Sequence, residues 1–482
     1  MDSQNFNSDA TETIVIGAGP SGLSAALELQ KGGHSPLLLE QGQEVGGMMR
    51  SPRWQDFTLD LGRKELYARF PEIDALWRNA VGDDYAEYPH RVGSLYKGRI
   101  VEMSGKYHGP MRAMPFGWLA IGGIDLMRGW MTSALRSPKT YEDFWHFRVG
   151  QTFAGILAQG YWEKFRGVRW SDLPPPDDNP VGQARGTGLM ATAKNAIAMA
   201  SRGGVSRQVA WRHPKAGTGQ LFERLADEYS ALGGRTVFGA NVTDLQPETC
   251  GSVKVTYAVD GKTSVQTARQ VVSSMSIEQL WNRLPERKTA SINMPKPGAE
   301  ADRSVLLVYL FLGVSHQFPH AWLEVNDPDL QCGRITNFGA FGGRMVPEGK
   351  AAYCVEFFCS GQADILGYTE EEQIKLAISE LETAGILNPR DLIGSQVLHF
   401  PRTNAAASWR EQQTAYRTAL FGEVSKLKSI YHVNRPGADW ASLSGIQAAR
   451  AILNEDRASF DDAADPTRRQ EDSIPENARS KV

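Results

Sequence analysis

The chain holds only four cysteines in 482 residues: Cys250, Cys332, Cys354 and Cys359. None forms a Cys-x-x-Cys pair, and the nine histidines make no zinc-ligand spacing with them. That excludes a disulfide framework and predicts a reducing, cytoplasmic setting. Excess positive charge is missing too, since 52 Lys and Arg stand against 55 Asp and Glu for a formal net charge of −3. A nucleic-acid partner needs a basic surplus, so none is expected. Long apolar runs are absent: the longest clean one, 305–314, is about half of what a membrane-spanning helix requires. Residues 1–11 are polar and acidic and do not read as a signal peptide. Phe116–Trp130 is apolar but carries Asp125 and Arg128. It reads as a buried or partner-facing helix, with peripheral membrane contact as the alternative.

What remains is ordinary globular composition, 41% hydrophobic and 22% charged, at a length that suggests two or three structural units. The first structured segment is the most informative. Thr13-Ile14-Val15-Ile16 is a short β-branched run that favours a buried strand. Gly17-Ala18-Gly19-Pro20-Ser21-Gly22 follows, then Leu23, Ala26, Leu27 and Gln30 at helical spacing, and Gly32-Gly33 as a stop. Leu37-Leu38-Leu39 is the next strand, and Glu40 ends it. This is a βαβ unit with a Gly-x-Gly-x-x-Gly turn. Gly17 permits the tight turn, Gly19 lets backbone approach a pyrophosphate, and Gly22 lets helix pack close on strand. The helix N-terminus offers amides and partial positive charge to the phosphates. Glu40 is suited to ribose hydroxyls and would repel a 2′-phosphate. Gly19-Pro20-Ser21-Gly22-Leu23 lacks the spacing of a hydrolase nucleophile elbow, so Ser21 reads as a phosphate contact.

Beyond Glu40 comes Val45-Gly46-Gly47-x-x-Arg50-Ser51, where two more glycines allow a second loop to approach the same dinucleotide. Arg50 either faces the diphosphate or carries a plain surface charge. Phe57-Thr58-Leu59-Asp60-Leu61-Gly62 follows. With these residues the sequence resembles the flavoprotein superfamily of flavin amine oxidases, protoporphyrinogen oxidase-like proteins and UDP-galactopyranose mutases. Later segments extend the resemblance: Gly160-Tyr161-Trp162-Glu163-Lys164, Gly217-x-Gly219, Asn241-Val242-Thr243, Val271–Ser274, Asn434-Arg435 and Gly445-Ile446-Gln447-Ala448-Ala449.

The resemblance implies an α/β fold. A Rossmann-like FAD-binding domain of the glutathione-reductase type, over 10–96, 205–290 and 395–456, is interleaved with a mixed-sheet plus helical substrate domain over 97–204 and 291–394. A disordered tail is expected over 457–482, and the flavin ring at the junction of the domains. Non-covalent FAD is the implied cofactor. Its contacts are expected from Gly17, Gly19, Pro20, Ser21, Gly22, Glu40, Gln41, Gly46, Gly47, Met48, Arg50, Arg63, Val242, Arg435, Gly445 and Ile446. The last two would belong to a helix whose N-terminus points at the flavin.

Several positions depart from the family pattern. Gly62-Arg63-Lys64 stand where many relatives carry Gly-Gly-His. Lys64 near the flavin would act electrostatically, or the two cations face solvent. Arg334 occupies a position where mutases hold a diphosphate, so it anchors an anionic group or is a surface arginine. A second mutase arginine is missing, Arg185 being a poor substitute, and so is the tyrosine-rich loop before the closing helix. Tyr161, Trp409 and Trp440 are candidates for an aromatic cage around the substrate, or are plain core residues. The implied activity is FAD-dependent oxidation of a small-molecule C–N, C–C or C–O bond, with hydride passing to flavin N5 and electrons then to oxygen or another acceptor. The alternatives are a non-redox mutase or isomerase and a non-enzymatic FAD-binding protein.

Overall fold

The computed structural model describes residues 11–66, 68–89, 91–103, 114–175, 210–288, 292, 302–315, 317–341, 343–360, 363–405 and 410–464. The chain divides into two units, the first of Met1–Ala86, Arg212–Lys296 and Glu411–Val482, the second of Glu87–Trp211 and Pro297–Arg410.

In the first unit, β1 (Thr11–Ile16) and β2 (Leu37–Leu39) lie parallel, joined by α1 (Pro20–Lys31). Ile14, Val15, Leu37, Leu38 and Leu39 are all buried, the continuous apolar run of a parallel sheet covered on both faces. The strand Lys262–Ser273 plays two parts. Its first half pairs antiparallel with Val253–Val259, and its second half runs parallel to both β1 and Ile430–His432. From one edge the sheet runs Asn241–Pro247, Val253–Val259, Lys262–Ser273, β1, β2, Arg235–Val237. Helices α1, Gly219–Ala231 and Ala438–Leu453 share one core, in which Leu23, Leu27, Phe222, Leu225, Ile446 and Ile452 meet.

The second unit holds a seven-stranded sheet in the order Leu392–Ala405, Asp302–Leu312, Ala351–Ser360, Arg334–Asn337, Trp322–Val325, Val92–Tyr96, Arg99–Glu102. All its pairings are antiparallel except that of Trp322–Val325 with Val92–Tyr96. Helix Glu370–Thr383 starts at a capping box between Thr369 and Glu372 and contributes Ala377 and Leu381 to the sheet's core. Helix Phe116–Leu135 lies against Tyr141–Val149, whose N-cap is Thr140. The two approach closely because a Cβ on Gly129 would fall 2.4 Å from the His146 carbonyl oxygen.

Three sequence expectations change. The crossings between units fall elsewhere: Val92–Tyr96 and Leu392–Ala405 belong to the second unit because their backbone pairs with its sheet. The chain remains helical over Arg457–Ala464, where a tail was expected. Phe460 is buried there against Tyr431, with ring centroids 5.1 Å apart, and this one aromatic anchors an otherwise polar segment. Helix Phe116–Leu135 is not buried, since it exposes Phe116, Ile121, Ile124, Met127, Met131 and Leu135. Arg185 and Trp409 lie outside the described residues.

The first unit is tied together by one buried carboxylate. Asp60 accepts from Ser51 Oγ at 2.6 Å, from His213 Nε2 at 2.7 Å, and from the Thr218 amide and hydroxyl at 2.8 and 3.0 Å. His213 also places Nδ1 2.8 Å from the Pro214 carbonyl, and Ser51 Oγ accepts from the Gly219 amide at 2.8 Å. Burial alone would raise the Asp60 carboxyl, but the His213 charge and these hydrogen bonds hold it below the usual carboxylate range. A depressed folded value stabilises above the unfolded pKa of ~3.9, and the stabilisation is lost as pH falls through the folded value. Asp60→Asn should therefore cost about 3–5 kcal/mol in urea unfolding at neutral pH. The difference from wild type should shrink on acidification; a pH-independent difference would contradict this account.

Candidate functional site

The turn between β1 and α1 is built by glycine. Gly17 has φ +91°, and its amide donates to the Leu39 carbonyl at 2.7 Å, which ties the turn to β2. A Cβ on Gly22 would fall 1.9 Å from the Gly17 carbonyl oxygen, so only hydrogen fits there. Helix α1 begins with Gly19 as N-cap and Pro20 at its first position, with buried Ser21 next. No side chain caps it and no acidic residue stands in its first turn, so its positive end is left for an anion.

The second glycine loop stands against the first. The Gly46 amide donates to the Ala18 carbonyl at 2.8 Å, and a Cβ on Gly47 would lie 3.2 Å from Gly19 Cα. Arg50 turns back on its own loop, donating from Nη1 to the Gly47 carbonyl at 2.9 Å, while Met48 is exposed. Glu40 holds both loops: Oε2 accepts from the Ala18 amide at 2.6 Å and Oε1 from the Gly42 amide at 2.7 Å. A carboxylate offers about four acceptor positions, so capacity remains for ribose hydroxyls.

Beside Glu40 opens a cleft of about 170 Å³ lined by Gln41, Val242, Ser274, Gln279 and Arg283 among others. Arg283 donates from Nε to the Val242 carbonyl at 2.6 Å and from Nη1 to the Gln279 carbonyl at 2.8 Å, and burial lowers its pKa. Glu40, Gln41 and Val242 were read from sequence. Ser274, Gln279 and Arg283 were not read as site residues. Arg283 lies just past a short helix, Ile277–Trp281, and no spacing marks it.

The remaining first-unit candidates are more structural. Gly445 does not open a helix. Helix Ala438–Leu453 begins about two turns earlier behind Gly437, and a Cβ on Gly445 would meet the Ser21 carbonyl oxygen at 2.0 Å. Gly445 thus lets two helices touch, and Ile446 is core. Arg435 donates to the Asn434 carbonyl at 2.8 Å, and burial pushes its pKa down to about 10. Arg63 pairs with Glu65, and Lys64 is half-buried beside them. Trp440 packs on Phe70 with centroids 5.4 Å apart, a core contact. Its neighbour Asp439 is gripped by Arg69 through Nε and Nη2, each at 2.8 Å.

In the second unit, Arg334 and Tyr161 come together. Arg334 is buried, donates to the Tyr161 hydroxyl at 3.1 Å, and lies 3.7 Å from the Glu356 carboxylate. Burial would lower its pKa, but Glu356 and its neighbours hold it above the ordinary value. Arg334 is therefore not a surface arginine: its carboxylate neighbour is internal, and its buried Nε has no hydrogen-bond partner among the described residues. Lys164 is likewise structural, donating to the carbonyls of Val325, Asp327 and Cys332 at 3.1, 2.8 and 3.2 Å. Burial pulls its pKa down.

Residues 15–79 match the family of NAD(P)-binding Rossmann-like domains. A 105-residue stretch is 35% identical to the 4,4'-diapolycopene oxygenase of Methylomonas sp. and spans only 20% of either protein. Reduced UDP-galactopyranose mutase superposes with a TM-score of 0.66 at 16% identity, covering 94% of this chain and 97% of that one. A protein from Exiguobacterium sp. 255-15 described as a protoporphyrinogen oxidase superposes at 0.65 with 14% identity, over 94% of this chain and 100% of that one. The chain shares the overall fold of these two solved structures.

That fold carries a Rossmann-like dinucleotide-binding domain, and the geometry around Gly19, Glu40 and Gly47 suits a dinucleotide: two glycine loops close together, an uncapped helix end and a carboxylate with spare acceptors. Gly445→Ala should destabilise the protein by about 1–3 kcal/mol, because the methyl meets backbone. Gly123→Ala, in helix Phe116–Leu135 with nothing within 4 Å of the new Cβ, should be neutral or slightly stabilising. Thermal melts of both variants check this, and equal effects would contradict it.

Proposed function

We propose that this chain is an FAD-dependent oxidoreductase that binds its flavin non-covalently and oxidises a small molecule. The observation that carries this reading is the second glycine loop packed on the first, with Gly47 against Gly19 and Glu40 joined to the amides of Ala18 and Gly42. A single Gly-rich turn serves any dinucleotide, whereas a second loop placed directly after the ribose acid favours the longer FAD. FAD, when bound, supplies the hydride-accepting centre that protein side chains lack. Glu40 would hold the ribose, the α1 N-terminus the pyrophosphate, and the cleft at Val242 the adenine end.

Lys64 is assigned an electrostatic role: its ammonium supplies positive charge where negative charge develops during substrate oxidation. Arg334 is left out of substrate binding because Glu356 balances it, and this also weighs against the mutase alternative, which needs arginine for a diphosphate. The oxygenase and oxidase names among the similar proteins support oxidation. Oxygen or another acceptor would complete the cycle, and the four free cysteines suit a reducing, cytoplasmic setting.

The purified protein should show an oxidised-flavin absorption spectrum that heat releases into the supernatant as FAD. A colourless protein that takes up no FAD would overturn the proposal. Lys64→Met should keep the spectrum and lose roughly 10²–10³-fold in the rate of flavin reduction by substrate. Wild-type rates in that variant would remove Lys64 from the mechanism.

A further inference from the structure

We propose that helix Phe116–Leu135 docks the second unit onto an anionic lipid bilayer surface. The helix presents two unlike faces. Inward, Trp118 and Leu119 pack on a buried cluster of Val101, Met114 and Ile156, and two glycines allow close approach: a Cβ on Gly122 would fall 2.4 Å from the Phe153 ring, and one on Gly129 equally close to the His146 carbonyl oxygen. Outward, Phe116, Ile121, Ile124, Met127, Met131 and Leu135 recur every three to five residues, an apolar stripe along a helix of about 30 Å. Phe116, Met131 and Leu135 are 85%, 69% and 87% exposed. A patch of that kind marks an interaction surface. Among the described residues no helix is long and apolar enough to cross a membrane, so this one would lie along the surface with its stripe in the headgroup–acyl boundary.

The charge around the stripe selects the occupant. The described residues among 97–148 carry six Lys and Arg against four acids, in a chain whose net charge is −3. The acids are engaged within the unit. Asp125 accepts from Thr152, Glu102 from Arg91 and Glu142 from Gln159, while Asp143 pairs with Arg136. Of the described cations, Lys97, Arg99, Arg128, Arg136 and Lys139 are exposed, whereas Arg148 packs on the Phe144 ring. Arg128 has 76% of its side chain exposed, although Asp125 lies 3.6 Å away. Lys139 is exposed past the helix end. Lys97 and Arg99 are exposed on a turn held beside the helix start, where Trp118 meets the Tyr96 ring edge-on at 5.4 Å. An apolar stripe rimmed by cations matches acyl chains beneath anionic headgroups. A second copy fits poorly, because a two-fold contact would set each basic rim against its like.

Co-sedimentation of the full chain with vesicles tests this. The wild type should pellet with vesicles containing about 30% phosphatidylserine in phosphatidylcholine, less with phosphatidylcholine alone, and less at high salt. An Ile124→Glu, Met131→Glu double variant, altered only at exposed positions, should melt like wild type and bind roughly tenfold or more weakly. Wild type left in the supernatant with both vesicle types, or a double variant that pellets equally, would overturn the proposal. So would a dimer seen by light scattering that the double variant dissolves, since the stripe would then belong to a second copy. None of these outcomes depends on whether FAD is bound.

Discussion

Close backbone approach at the N-terminal end of α1 is the constraint on which the first unit depends. Three glycines stand where another segment's backbone comes within reach of a methyl group: Gly22 against Gly17, Gly47 against Gly19, and Gly445 against Ser21. The first seats the helix on its strand, the second brings in the other glycine loop, and the third lets helix Ala438–Leu453 cover α1 from the far end of the sequence. Together they surround the helix terminus with backbone, so that amides rather than side chains are offered to a ligand.

Buried charge is handled in the same internal manner. Asp60 joins residues 51, 213 and 218 within the first unit, and Arg334 meets Glu356 and Tyr161 within the second. A buried ion left alone is costly, so each stands beside an opposite charge, although Arg334 Nε keeps no hydrogen-bond partner among the described residues. This bears on function directly. A buried arginine beside a tyrosine invites assignment to an anionic substrate, yet an arginine already balanced by a carboxylate presents less charge to a ligand. The Gly-Tyr-x-Glu-Lys segment behaves likewise, since Lys164 spends its three protons on backbone carbonyls.

Legibility in the sequence followed the range of the interactions. β1, α1 and β2 could be read because strand, turn and helix are set by neighbours along the chain, and Glu40 sits where the second strand must end. Val242 could be reached only through resemblance. Arg283 could not be read at all: its partners, the carbonyls of Val242 and Gln279, are backbone atoms that carry no residue-type signal. The crossing points between units were misplaced for the same reason, since whether Val92–Tyr96 joins one sheet or the other is decided by its pairing with Trp322–Val325.

Composition already predicted an ordinary globular chain, and local pattern identified a βαβ dinucleotide-binding start. Those properties depend on residue type and short spacing, which a sequence displays. Gly445's role as a helix contact, the neutralisation of Arg334, the burial of Phe460 and the outward turn of the Phe116–Leu135 stripe were decided by tertiary structure alone. Each depends on which atoms from distant segments come to lie within a few ångströms, and only the folded chain brings them there.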